Sequence, residues 1–274
     1  ANLWNDGGFF PNGLMGFLGG FQIAFFAFVG IELVGTAAAE TKDPCTTLPK
    51  AINAIPVRLA LFYVLALLAI TAVIPWRKVV PGVSPFVSLF GLAGFGAAAS
   101  VMNFVLLTAA ASSDNSGLYS TSRMMYGLAL DSQAPSRFRK LSSNNVPRNA
   151  LVASCLLLLC GITFLYTSDS IMQAFALVTT VAALLFLFTW SLIVVCYIVY
   201  RHKRPQLHNE SVYKMPGGVP MCWVVLAFFA TSLVILTLDP TTRIAVLITP
   251  IWFAFIGAMY FVYRRREQHK EALR

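Results

Sequence analysis

The sequence predicts an all-α protein that crosses a membrane several times, on three observations. Hydrophobic residues make up 58% of the 274-residue chain and charged residues only 11%, whereas soluble domains run at about 45–50% apolar even with glycine counted. The charges collect in short clusters between long uncharged runs, most of them near the ~20 residues that a helix needs to cross a bilayer. The basic residues are also distributed one-sidedly. Arg77, Lys78 and Arg243 fall in one set of loops, and the rest of the 20 Lys and Arg residues fall in the alternate set.

Seven spans are expected, at about 14–39, 52–75, 94–125, 149–167, 171–200, 219–238 and 244–263, in one membrane domain covering 1–274. The longer ones would tilt or protrude. Basic residues mark the cytoplasmic side. The loops that hold Lys42, Lys50 and Arg58, Arg123 to Arg148, Arg201 to Lys214 and the segment after Arg264 are therefore expected inside, with the amino terminus of this chain outside and its carboxyl terminus inside. The net charge of +9 follows from the same bias. It carries no basic-aromatic nucleic-acid motif, and no nucleic-acid partner is expected.

The first span, GGFQIAFFAFVGIELVGTAAAE at 19–40, is the most informative. It contains one charge, Glu32, directly after Gly30 and Ile31 and shortly before Gly35. Gly lowers helix stability by about 1 kcal/mol relative to Ala, and an ionised group at mid-membrane costs several kcal/mol. A span with both needs polar surroundings for its backbone and its carboxylate, and irregular backbone at membrane depth occurs only where protein or a water-filled cavity surrounds it. Val29, Gly30 and Ile31 are expected to be unwound, and Glu32 to line a solute site. The simpler alternative is that the Glu32 carboxylate only accepts hydrogen bonds from amides freed at Gly30. The half-helix ending at Phe26 to Val29 runs inward from outside and points its carbonyl end, with about half a negative charge, at mid-membrane. That end suits an ammonium group. Ordinary apolar packing is the competing reading for Phe26 and Phe28.

The third span carries Thr108, Ser112, Asn115, Ser116 and Tyr119 at helical spacing on one face. A polar stripe on an apolar helix faces partners or water, although small polar residues also serve as packing glue between helices. Ser112 and Asn115 are the candidates for solute contact. Asp114 lies off this face as a second acid in or near the membrane. In the fifth span, Thr179 and Thr180 could face the site; back-bonding to carbonyls of their own helix is the favoured reading.

Neither Lys nor His occurs within a span; His202, His208 and His269 lie in the basic segments and are expected to be solvated. An intramembrane enzyme would need a base, a metal ligand or an activated nucleophile, so no enzyme activity, metal or cofactor is expected. Cys45, Cys155, Cys160, Cys196 and Cys222 form no CxxC and no zinc spacing, and are expected as free thiols. The chain opens on Ala1-Asn2-Leu3 without a signal-peptide pattern.

FAFVGIELVG at 26–35 resembles the sixth span of amino-acid permeases of the amino acid–polyamine–organocation superfamily. The resemblance extends through ETKDP at 40–44, LPKAI at 48–52, NFVLLTAAASSDNSGLYSTSRMMYGLA at 103–129, VP at 146–147 and YKMPGG at 213–218. It implies the C-terminal part of a transporter built from two five-helix repeats of inverted topology, this chain matching spans six to twelve, with five upstream helices as partners of the same transporter. It implies proton-coupled uptake of small neutral amino acids, of the D-alanine, D-serine and glycine type, across a bacterial inner membrane. Protons, the amino acid and the lipid bilayer are then the partners. Carbonyls near Phe26 and Val29 would hold the ammonium and the Phe26 ring would act as a lid, with Gly30, Ile31, Glu32, Ser112 and Asn115 completing the binding set. The resemblance also places the ends carrying Glu40 and Arg123 near the inner opening, where a guanidinium can grip a carboxylate bidentately as an inner gate. Pairing of Arg123 with lipid phosphate is the alternative, and Lys42 could neutralise Glu40. From a different functional class, a non-transporting amino-acid-binding or sensing protein remains the rival reading.

Overall fold

A computed structural model describes residues 2–5, 7–8, 10–80, 82–94, 96–167, 170–238 and 240–272. Among them every regular element is helical and no strand occurs. The chain forms two compact units. One comprises Ala1–Phe17 and Ile31–Thr121; the other comprises Leu18–Gly30 and Ser122–Arg274.

The first unit begins with helix α1 (Gly13–Gly19), whose last two residues belong to the second unit. It resumes beyond Gly30 with the short α3 (Leu33–Thr36), after α2 of the other unit, and a single 3₁₀ turn, Ala38–Glu40. Helix α4 (Pro44–Leu59) starts where the ETKDP motif stands. Asp43 takes the left-handed conformation, φ 51°, which Asp tolerates better than most residues. Pro44 follows in the first turn, where its missing N–H costs nothing. The backbone N–H groups of Thr46 and Thr47 both donate to the Asp43 carbonyl, at 3.1 and 3.0 Å.

Helix α4 continues through a π-helical stretch, Ala60–Val64, into α5 (Leu65–Val73). Pro49 and Pro56 lie inside α4. Each removes one backbone donor and crowds the preceding turn, so the helix loses its regular ladder there. The whole run Pro44–Val73 is 30 residues long and apolar enough to cross a membrane, and starts earlier than expected. The Asn2 side chain donates to the Ala72 and Val73 carbonyls at its end, at 3.1 and 3.0 Å. Helix α6 (Pro85–Leu92) follows and packs on α5. Helix α7 (Gly96–Leu130) is 35 residues long and carries the polar stripe.

The second unit is organised around α9 (Ile171–Lys203), a 33-residue helix. It packs against α2 (Phe21–Ala27), α8 (Arg148–Thr167), the short α10 (Pro205–Glu210), α11 (Gly218–Leu238) and α12 (Pro240–Ala272). Its core joins Phe25 to Ala183, Leu184, Leu187, Leu236 and Ala245. Small residues on α9 and α12 let the backbones approach, as membrane helices require when lipid removes the hydrophobic drive between them. Thr179 and Thr180 are buried and bond back to the carbonyls of Phe175 and Ala176, at 2.9 and 2.6 Å. This is the back-bonding expected from the sequence.

Five helical runs are long and apolar enough to cross a membrane: Pro44–Val73, Arg148–Thr167, Ile171–Lys203, Gly218–Leu238 and Thr242–Arg265. Their bounds lie within a few residues of the expected ones, apart from the early start of the first. Two of the seven expected spans are not among these five: the third, 94–125, which falls on the longer and more polar helix α7 (Gly96–Leu130), and the first. Gly13–Ala27 is a shorter apolar helical run, and the helix stops well before residue 39. The five cysteines are all free thiols.

Candidate functional site

The break in the first span follows directly from its sequence. Helix α2 ends at Ala27, and α3 begins only at Leu33, so Phe28 to Glu32 form non-helical turns. The Val29 N–H still reaches the Phe26 carbonyl, at 3.1 Å. Gly30 then takes φ 106°, a conformation that a side chain at Cβ would strain. Val29, Gly30 and Ile31 are thus unwound as expected, and the irregular stretch also takes in Phe28 and Glu32. Gly35 plays no such part. It lies within α3, and a Cβ added there would meet nothing within 4 Å.

Each unit contributes separately to the predicted set. In the second unit, Phe25 points into the core against Phe228, with ring centroids 5.8 Å apart. Phe26 lies a helical step away, 36% exposed, and its ring meets Phe175 edge-on at 6.5 Å. One of two adjacent phenylalanines therefore packs the unit while the other stays accessible at the end of the half-helix. Val29 and Gly30 follow it, and Arg123 lies in the same unit on α7.

In the first unit, Glu32 stands at the N-terminal edge of α3, half-buried, and makes no side-chain cap to that helix. Its carbonyl accepts the Gly35 N–H at 2.9 Å. Ile31 beside it is exposed. On α7, Ser112 and Asn115 are both exposed. Ser116 donates to the Ser112 carbonyl at 3.0 Å, and Thr108 donates to the Val105 carbonyl at 2.9 Å. Those two hydroxyls are occupied along the helix itself, which leaves Ser112 and Asn115 as the more available polar groups of the stripe.

The same helix supplies a contact that the sequence reading did not pair. The Tyr119 hydroxyl donates to the Glu40 carboxylate. Tyr119 was visible as the last member of the stripe, and Glu40 as a gate residue. The signal that could have joined them is that a carboxylate opposing the dipole at a helix end needs a donor. Glu40 and Arg123 fall in different units.

One expectation requires correction. His208 is not solvated. It is 7% exposed, held on α10 between the rings of Tyr197 and Tyr200, with centroids 5.8 and 6.3 Å away, both edge-on. Burial pushes its pKa below the ordinary value, and the nearby Arg201 and Lys214 charges push in the same direction. The sequence showed a histidine in a basic segment; only the folding of α10 back onto α9 buries it. His202 is exposed as expected. The His269 side chain lies outside the described ones. No group of three or more His, Cys, Asp or Glu able to hold a metal occurs among the described residues.

The helices define a multi-pass membrane protein with an interrupted apolar helix bearing an acid at its break. The amino acid permease family profile matches residues 1–273, and the chain belongs to that family. It is 57% identical over 267 residues to the D-serine/D-alanine/glycine transporter of Escherichia coli K12, covering 97% of this chain and 57% of that protein. It is 48% identical over 265 residues to the amino-acid permease AapA of Bacillus subtilis, with 97% and 57% coverage. The probable threonine/serine transporter YbxG of the same bacterium is 35% identical over 263 residues, with 96% and 56% coverage. The chain thus spans somewhat more than half the length of these relatives. No solved structure matches it significantly.

Proposed function

We propose that this chain forms the substrate-binding part of a secondary transporter for small neutral amino acids, of the D-alanine, D-serine and glycine type, in the inner membrane of a bacterium. The observation that carries the proposal is the non-helical stretch Phe28 to Glu32, with Gly30 at φ 106° and an acid at its inner edge. Broken helices of this kind present backbone carbonyls and half-helix ends to a solute in transporters. The relatives named for D-serine, D-alanine and glycine supply the substrate class.

In this reading the chain is one membrane domain with seven spans, its amino terminus periplasmic and its carboxyl terminus cytoplasmic. The carbonyls near Phe26 and Val29 receive the ammonium. Phe26 covers it, and Gly30 and Ile31 let the backbone approach closely. Ser112 and Asn115 offer neutral hydrogen bonds from α7. Glu32 takes up and releases a proton with each cycle, which makes transport a symport. Glu40 and Arg123 close the inner mouth. Transport itself is assigned to a protein of the relatives' full length, in which a second five-helix repeat provides the body against which this one rocks.

Radiolabelled D-alanine uptake into energised vesicles tests the proposal. Concentrative uptake that collapses with a protonophore supports it. Saturable binding without accumulation would instead make the protein a sensor.

A further inference from the structure

We infer that the cleft at the start of α8 binds the headgroup of an anionic phospholipid. The cleft holds about 490 Å³ and is lined by Pro135, Arg137, Phe138, Arg148, Asn149 and Val152, all in the second unit. Its polar and charged lining residues are Arg137, Arg148 and Asn149. The Asn149 carboxamide nitrogen donates to the Arg137 carbonyl at 2.8 Å, and so ties the 3₁₀ turn Ser136–Arg139 to the first turn of α8.

The loop is pre-formed around this cleft. Arg139 is committed elsewhere: its guanidinium donates to the Ala129 and Leu130 carbonyls at 2.8 and 2.6 Å and closes the end of α7. The Tyr263 hydroxyl donates to the Ala134 carbonyl at 2.9 Å and fastens the same loop to α12. Pro147 and Ala150 are buried beneath it. Arg137 and Arg148, in contrast, are exposed, and no ion pair of theirs is found among the described residues. Asp131 is the single acid between Arg123 and Arg148, against five basic residues over the same stretch counting both ends, so the loop has an excess of positive charge. Planar guanidinium groups match phosphate oxygens bidentately.

What favours a lipid over a free anion is the surface leading away from the cleft. Val152 lines it and is 51% exposed; Leu156 and Leu159 follow at helical spacing, 57% and 56% exposed. These three residues form an apolar track along α8, which is itself long and apolar enough to cross a membrane. A phosphate between the two arginines would therefore have a path for its acyl chains along the same helix. Phe138 and Pro135 provide apolar contact at the glycerol level.

The test uses the protein purified from membranes at its natural length, with native mass spectrometry and thermal unfolding as readouts. Short-chain phosphatidylglycerol, short-chain phosphatidylcholine and inorganic phosphate are titrated in turn. Saturable binding and a raised unfolding temperature with phosphatidylglycerol alone are expected. In R137Q/R148Q the apparent affinity falls about tenfold or more, the equivalent of one good charge-assisted contact, while R137K/R148K loses less. Leu156→Glu, which interrupts the track and spares the cleft, weakens phosphatidylglycerol binding without touching the two arginines. Equal binding of phosphatidylcholine, or wild-type affinity in R137Q/R148Q with its unfolding temperature in buffer unchanged, overturns the inference. Binding of inorganic phosphate with the full effect reduces the site to one for a free anion and also overturns it. If R137Q/R148Q fails to fold, the comparison of lipids on the wild type and Leu156→Glu decides.

Discussion

Tyr119 donates its hydroxyl hydrogen to the carboxylate of Glu40, joining α7 to the end of the broken first span across 79 residues of sequence. The bond places a neutral donor on a carboxylate at the end of the single 3₁₀ turn Ala38–Glu40. A carboxylate has room for several donors. Tyr119→Phe removes the donor and little else. Both residues are exposed, so the cost to stability is expected to fall below the usual range for a hydrogen bond to a charged group, at about 1 kcal/mol or less. A larger effect is expected on uptake, because the Glu40 carboxylate of the proposed inner gate loses this donor. Unfolding temperature and initial uptake rate, measured together, check this. The proposed gate is checked by the charge swap Glu40→Arg with Arg123→Glu, which is expected to recover part of the activity that each single change removes.

Glu32→Gln keeps the shape of the side chain and part of its hydrogen bonding, but removes the charge and the proton site. Uptake is expected to fall by an order of magnitude or more (~10-fold, about 1.4 kcal/mol in the rate-limiting step) and to lose its dependence on external pH. The unfolding temperature is expected to stay within a degree or two of wild type, roughly what a few tenths of a kcal/mol produce in a large domain. Wild-type uptake and pH profile in this variant would return Glu32 to a purely structural role.

Gly30 and Gly35 provide a matched pair of glycine substitutions. Gly30→Ala puts a Cβ on a residue at φ 106° and is expected to cost about 1–3 kcal/mol, the range for strained backbone. It should depress uptake with it. Gly35→Ala sits in helix with open space around its Cβ, and is expected to be neutral or stabilising by up to about 1 kcal/mol. Denaturation midpoints of the two variants in detergent settle the comparison.

His208 makes stability depend on pH. Its pKa in the fold is below the ordinary value, so the unfolded chain binds the proton more readily than the folded one. The stabilising contribution is therefore complete above about pH 6.5 and is lost as pH falls from there toward the lowered folded value. Thermal unfolding is expected to weaken over that window in wild type. His208→Phe, which retains a ring between Tyr197 and Tyr200, is expected to flatten the slope. An unchanged slope in His208→Phe would assign the effect to another group.

Much of this protein was determined by sequence alone, because a bilayer leaves few alternatives. A long apolar run must be helical to satisfy its own backbone, so the ends of α8, α9 and α11 lay within a residue or a few of where the charges stop. The break at Gly30 was equally legible. A glycine beside a lone acid in an apolar span is a local conflict that can be read without neighbours. The Thr179 and Thr180 back-bonds were legible for the same reason, being interactions within one helix.

Contacts between distant segments were decided only in the tertiary structure. The π-helical stretch Ala60–Val64 was missed because prolines show where a helix is weakened, not how it re-forms its ladder. Tyr119 and Glu40 carried no sequence signal that would pair them across 79 residues. His208 looked like any other residue of a basic loop until α10 folded back and packed it between two tyrosines. The choice between Phe25 and Phe26, one in the core and one at the end of the half-helix, turned on where α9, α11 and α12 stand. Membrane insertion is a property of composition along one segment. Which side of a helix becomes buried, and which acid meets which donor, depends on packing between segments, and that information lies in no single stretch of the chain.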